Sequence, residues 1–182
     1  MRFTPQSIPD VILVEPTVYP DSRGFFLESY HAERFAAGGI PCTFVQDNHS
    51  RSIKDTLRGL HYQREPGQAK LVRCVRGRIW DVAVDIRPSS PTFGQWVAQE
   101  LSEANKRMLF VPVGFAHGFA VLSDEADVLY KCSHYFVAET EAGLAWDDPD
   151  VAVPWPVATP LLSARDQGNP SLRATFPERF NA

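Results

Sequence analysis

The sequence predicts an all-β fold, a sandwich, barrel or jelly roll with one or two short helices and an irregular C-terminal tail. Three observations predict it. The dominant hydrophobic period is two, turn residues divide the chain into short periodic runs, and a single nine-residue stretch carries a helical pattern. Eight or more short strands with so little helix must bury their apolar faces against one another.

The runs come in order. VILVEPTVY (11–19) opens the series, and HAERFAAGG (31–39) is the helix candidate, with Gly38 and Gly39 as its stop. Strand-like runs follow at 44–50, 56–63 and 70–76. The clearest is 80–87, where Trp80, Val82, Val84 and Ile86 share one face and Asp81, Ala83, Asp85 and Arg87 the other, the pattern of a strand buried on one side. Others lie at 94–101, 107–111, 116–122 and 127–136. Arg76-Gly77 suits a tight hairpin, PSSP (88–91) a longer turn and VPVG (111–114) a bend. After WDDPDVAVPWP the chain turns proline-rich and polar, and LLSARDQGNP is expected to wrap the sheets. With 182 residues, 44% of them hydrophobic, the chain suits one sizeable core and reads as a single domain, 1–182.

A formal charge of −4 argues against a nucleic-acid or polybasic membrane-surface partner, while a local basic cleft could still hold a small anion. No apolar stretch approaches the roughly 18 residues of a membrane span, and MRFTPQSIPD lacks the order of a signal peptide. Cys42, Cys74 and Cys132 are odd in number, far apart and without a CxxC pair, as in reduced thiols of a cytoplasmic protein. The partner to expect is a small molecule.

The stretch RGLHYQ (58–63) places His61 in a half-buried alternation. If REPGQA (64–69) closes a hairpin centred between Glu65 and Pro66, residues whose numbers sum to about 131 face one another, and His61 lies opposite Lys70. A neutral imidazole beside an ammonium stabilises a sheet poorly but sets a base beside an electrophile. Lys70 snorkelling at a strand edge is the competing reading. In VLYKCSHYF the same alternation puts Val128, Tyr130, Cys132, His134 and Phe136 on one face; Tyr130 is then either a core tyrosine or an acid to complement His61 and Lys70. Metal-binding cupins carry a His-x-His pair, but Gln63 stands two residues after His61 and His49, His117 and His134 are each alone, so no metal is expected. There is no GxSxG elbow and no glycine-rich phosphate loop, which leaves phosphate to side chains such as Arg23 and Arg58.

DSRGFFLESY (21–30), FVQDNHSRS (44–52), LRGLHYQ (57–63), QAKLVRCVRGRIWDVAVDIRPSSPTFGQW (68–96), LSEANKRMLFVPVGFAHGFAVLS (101–123), LYKCSHYF (129–136) and LLSARDQ (161–167) together resemble the dTDP-4-dehydrorhamnose 3,5-epimerase family, nearly end to end. The resemblance implies a cupin-type jelly roll, a homodimer working without metal or organic cofactor, and dTDP-4-dehydro-6-deoxy-D-glucose as substrate. It makes His61 the base, Asp166 the carboxylate that orients it, Lys70 the cation beside the sugar ketone and Tyr130 the proton donor. Arg23, Glu28, Gln46, Asp47 and Asn48 fall on substrate-binding positions, as do Arg58, His117, Glu141 and Arg165, the last standing where a lysine is often found. Phe26 and Phe136 are placed to stack on the thymine. The family's pocket borrows residues from the neighbouring subunit, and DSRGFFLESY is the segment expected to be lent.

The chemistry is consistent with the residues. Inverting a carbon beside a ketone requires a base, a charge at the enolate oxygen and a donor on the opposite face; imidazole, with an ordinary pKa near ~6.5, is a competent base at neutral pH. Three alternatives stay open: a monoepimerase of another deoxysugar, a non-catalytic sugar-binding jelly roll, and a metal-dependent cupin oxygenase.

Overall fold

The alternating runs pair into antiparallel sheets in a computed structural model that describes residues 1–180. Strands β1 (Arg2–Pro5), β2 (Ile12–Glu15), β3 (Val18–Asp21) and β4 (Gly24–Leu27) precede helix α1 (Ala32–Ala37). Then come β5 (Gln46–Ile53), β6 (Leu57–Gln63), β7 (Lys70–Arg76) and β8 (Arg78–Asp85), followed by β9 (Trp96–Ser102), β10 (Met108–Val111), β11 (Phe115–Val121) and β12 (Glu125–Cys132). A short β13 (Glu141–Gly143) and two single-turn helices, α2 (Ala164–Gln167) and α3 (Leu172–Thr175), follow.

Six strands make one sheet in the order β1-β2-β10-β7-β12-β5, and five make a second, β13-β6-β11-β8-β9. Their inner faces meet in a core that joins Val72, Cys74 and Val128 of the first sheet to Ile79, Ala83 and Phe119 of the second. Both outer faces are covered too. Phe35 of α1 and Ile40 pack on Ile12, Val14, Leu71 and Met108, while Leu144, Val151 and Leu172 of the tail pack on Leu60, Val82 and Val84. The tail therefore wraps the second sheet, as its composition suggests. Among the described residues strands β3 and β4 pair only with each other, and Tyr19, Phe25 and Phe26 on them are exposed.

Coverage on both faces corrects the reading of 80–87 as a strand buried on one side. Trp80, Val82, Val84 and Ile86 do share the tail-facing side, but Asp81 and Asp85 on the other side are 0% exposed. Polar residues at alternate positions resemble a solvent face when no partner is in view; here each carboxylate is turned inward onto a dedicated partner, His117 for Asp81 and Arg87 for Asp85.

Two expected hairpins are not formed. β6 and β7 lie in different sheets, and so do β7 and β8, so 64–69 and Arg76-Gly77 carry the chain across the sandwich. His61 pairs with His117 and Gly143, and Lys70 with Val111 and Cys132. Gly77 makes the second crossing at φ +74°, where an added β-carbon would lie 2.0 Å from the Glu125 carbonyl oxygen. The longer turn over PSSP does join an antiparallel pair, β8 and β9. The 11–19 run divides into β2 and β3, and β12 ends at Cys132, before His134 and Phe136. Cys74 and Cys132 are buried, Cys42 is half-buried, and all three are free thiols. Among the described residues no helix is long and apolar enough to cross a membrane.

Candidate active site

Leu60 and Tyr62 of β6 pack outward with Leu144, so the alternation turns His61 inward. Gly59 lets β6 approach β11 closely: a β-carbon there would sit 2.7 Å from both the Gly118 Cα and the His117 oxygen, at the point where the pairing shifts register. It is held at φ +120°, which a side chain would oppose.

Asp166 comes from the far end of the sequence. Ser163 caps α2 by accepting from the Asp166 N–H at 3.1 Å, and that turn presents the buried carboxylate to β6. Asp166 Oδ1 lies 2.5 Å from His61 Nε2, and the Gly59 N–H points at Oδ2 from 3.5 Å. Burial alone would raise the Asp166 carboxyl, but the hydrogen bond and charge of His61 outweigh it and hold it below its ordinary value. An ionised carboxylate only accepts, so His61 Nε2 carries the hydrogen and Nδ1 holds the free lone pair.

The other half of the site stands on the opposite sheet. Cys132 of β12 pairs with Lys70 on one side and Gln46 on the other, and Tyr130, two residues back, pairs with Asn48. Lys70, Gln46, Asn48 and Tyr130 thus share one face. With His61 they line a cleft of about 220 Å³, which Phe136 and Glu141 complete. Burial pulls the Lys70 ammonium below its ordinary value, opposed by Cys132, Asp81 and Glu141, and burial also pushes the Tyr130 phenol up. The cleft can hold a base against a proton donor with a cation between the sheets. His61 and Lys70 do meet, but across the sandwich and not along a shared ladder.

The remaining predicted residues divide by position. Arg58 and Arg165 line an adjoining cleft together with Asp166, His61 lines both clefts, and Arg165 pairs with Glu141 at 2.5 Å. Asp47 faces away from the cleft and pairs with Lys131. His117 is 6% exposed behind the cleft, with its Nε2 2.8 Å from Asp81 Oδ1. Arg23, Phe26 and Glu28 do not reach the cleft: Arg23 pairs with Asp21, Glu28 with Arg34, and Phe26 is 70% exposed. Among the described residues no three or more His, Cys, Asp or Glu side chains are grouped as metal ligands.

Sequence reasoning missed Asp81, whose Oδ2 is buried without a hydrogen-bond partner among the described residues, and Ser163, the cap that sets Asp166. An aspartate in strand alternation gives no sign of which side is interior. Ser163, three residues before Asp166 and one before the helical turn, carried the capping signal of its type.

A family model described as dTDP-4-dehydrorhamnose 3,5-epimerase matches residues 5–174. A curated dTDP-4-dehydrorhamnose 3,5-epimerase of Shigella flexneri is 55% identical over 168 residues, covering 91% of this chain and 93% of its own. A Streptomyces niveus protein, a dTDP-4-dehydrorhamnose 3-epimerase, is 44% identical over 169 residues, covering 92% and 82%. Among solved structures, a dTDP-6-deoxy-D-glucose-3,5-epimerase of Legionella pneumophila Philadelphia 1 in complex with dTDP-4-keto-L-rhamnose superposes with a TM-score of 0.94 at 47% identity, covering 98% of this chain and 96% of that one.

Proposed function

Because the chain belongs to the dTDP-4-dehydrorhamnose 3,5-epimerase family, we propose that it inverts carbons 3 and 5 of dTDP-4-dehydro-6-deoxy-D-glucose to give dTDP-4-dehydro-L-rhamnose. The observation that carries the reading is the His61–Asp166 pair opening on a cleft whose other wall holds Lys70 and Tyr130.

In this reading His61 Nδ1 takes the proton from the carbon beside the 4-ketone, and Asp166 stabilises the imidazolium that forms. Charge moves to the ketone oxygen, where the Lys70 ammonium meets it; losing such a contact costs about 3 kcal/mol of barrier. Tyr130 returns a proton from the opposite face, and the carbon is inverted. The same cycle at the second carbon completes the product. Gln46, Asn48 and Glu141 bind the sugar and nucleotide, Phe136 stacks on the thymine, and Arg58 and Arg165 meet the diphosphate in the adjoining cleft. Residues 1–182 work as one domain, in the cytoplasm, within a homodimer in which Arg23, Phe26 and Glu28 serve the neighbouring subunit's site.

The resemblance to the Streptomyces niveus 3-epimerase supports a second reading, inversion at one carbon only. Incubation with dTDP-4-dehydro-6-deoxy-D-glucose in heavy water, followed by NMR, decides between them. Deuterium at carbons 3 and 5 with the L-configured product is the expected result. Uptake at carbon 3 alone supports the monoepimerase, and no uptake overturns both.

A further inference from the structure

Phe136 sits on a segment with no ladder of its own, between the end of β12 at Cys132 and the 3-10 turn at Ala138–Thr140. Three glutamines from three different places hold the backbone of that segment. Gln68, ahead of β7, donates from Nε2 to the His134 oxygen at 2.8 Å. Gln46, opening β5, accepts from the Phe136 N–H at 2.9 Å. Gln63, closing β6, does both: its Nε2 donates to the Val137 oxygen and its Oε1 accepts from the Val137 N–H, each at 3.2 Å. The same Oε1 accepts from the Thr140 hydroxyl at 3.0 Å.

A carboxamide offers a donor and an acceptor in one plane, as a peptide group does, so Gln63 stands in for the strand partner that Val137 lacks. Gln63 is two residues from His61, on the same face of the same strand. The segment that carries Phe136 is thereby referenced to the strand that carries the base. The ring itself is 50% exposed, so packing does little to fix it. All three glutamines line the cleft, yet the side-chain amide of Gln63 is already committed to the segment.

We propose that Gln63 and Gln68 are positioning residues that set the Phe136 ring against the nucleotide base, so that nucleotide binding depends on them and proton transfer does not. The inference rests on the reading of Phe136 as the ring that stacks on the thymine.

The test is a double-mutant cycle. Gln63→Met and Gln68→Met keep side-chain length and remove the hydrogen bonds, and each is made with Phe136 intact and in Phe136→Ala, with kcat, KM and the dTDP dissociation constant measured for all. With Phe136 intact, the glutamine pair is expected to raise KM and the dTDP constant about tenfold and to leave kcat within about twofold. In Phe136→Ala the pair should add less than about twofold, because the ring through which it acts is gone. Full additivity would mean that the glutamines contact the ligand themselves, and an effect confined to kcat would place them in the chemistry; either result overturns the proposal. An unchanged dTDP constant in Phe136→Ala overturns the stacking role and the proposal together. A weakened constant there with an unchanged one in the glutamine pair overturns the proposal alone. If the pair does not fold, Gln68→Met alone carries the same cycle, with an expected rise of about threefold.

Discussion

Asp166 accepts from His61 Nε2 at 2.5 Å, so the imidazole that enters the reaction is already the tautomer with Nδ1 bare. Asp166→Asn puts an amide in that place, and an amide that donates to Nε2 moves the ring hydrogen onto Nδ1. The expected result is a fall in kcat of about 100-fold or more, with dTDP binding within about twofold by calorimetry. Lys70 and Tyr130 are both perturbed by burial, in opposite senses: the ammonium is pulled below 10.5 and the phenol pushed above 10.0. If the Lys70 cation serves the reaction, its loss as pH rises gives kcat an alkaline limb, and burial moves that limb to lower pH. A pH profile should show that limb below 10.5 in the native enzyme and its disappearance from the accessible range in Lys70→Arg, whose guanidinium does not titrate there. Tyr130→Phe removes one oxygen and keeps the ring. His61 can still remove a proton and return one to the same face, so deuterium uptake from heavy water should persist with retained configuration while inversion falls about 100-fold or more. Exchange lost to the same degree as inversion would show that Tyr130 serves the first step as well. His61 was legible from its own stretch as a candidate base, whereas Asp166, 105 residues away, was an ordinary tail aspartate until the resemblance gave it a role.

At the scale of elements, period and pairing proved to be different kinds of information. The alternation of 80–87 located β8 and its faces, because side-chain direction is a property of one strand. Which sheet the next strand joins is a property of the whole packing, and a polar turn around a glycine serves a hairpin and a crossing between sheets equally well. That is why 64–69 and Arg76-Gly77 carry hairpin signals yet cross between sheets, while PSSP joins an antiparallel pair. The PSSP turn has a local cause. Asp85 accepts from the Arg87 N–H, from both Arg87 Nε and Nη2, and from the Ser90 and Thr92 hydroxyls, the last two at 2.6 Å. Burial would raise this carboxyl, but those donors bring it down to about 2 from 3.8. Its folded value is depressed, so its stabilisation is complete above the unfolded value and is lost as pH falls through about 2. The shift corresponds to about 2 kcal/mol. Asp85→Asn should lower stability to urea by about that amount at neutral pH, with the gap to the native protein shrinking to about half by about pH 3. A gap that stays constant with pH would mean that shape, and not charge, holds the turn.

At the scale of the whole molecule one hairpin stands apart from both large sheets, with the Lys106 ammonium 3.9 Å over its Phe25 ring. Among the described residues the β3–β4 hairpin pairs only with itself, exposes Tyr19, Phe25 and Phe26 at 60%, 55% and 70%, and carries Arg23 away from the cleft. Exposed aromatic rings gathered on one hairpin are a surface for association. The sequence showed these residues as a substrate-binding block by resemblance, and composition offered no way to tell a site completed in one chain from a site completed in two. If a neighbour's hairpin supplies Arg23 and Phe26, two inactive variants can complement each other. His61→Ala has no base but an intact hairpin, and Arg23→Ala has an intact base and a defective hairpin. In a mixed dimer one site joins the intact His61 to the partner subunit's intact Arg23, and the other site carries both defects. Random reassortment of equal amounts makes about half of the dimers mixed, each with one sound site of two, so co-refolded variants should recover about a quarter of native activity. That recovery should require mixing before refolding, and light scattering should give the mass of a dimer throughout. Activity no higher than the mean of the two separately refolded variants would place Arg23 and His61 in the same subunit's site, and the exposed hairpin would then need a different partner.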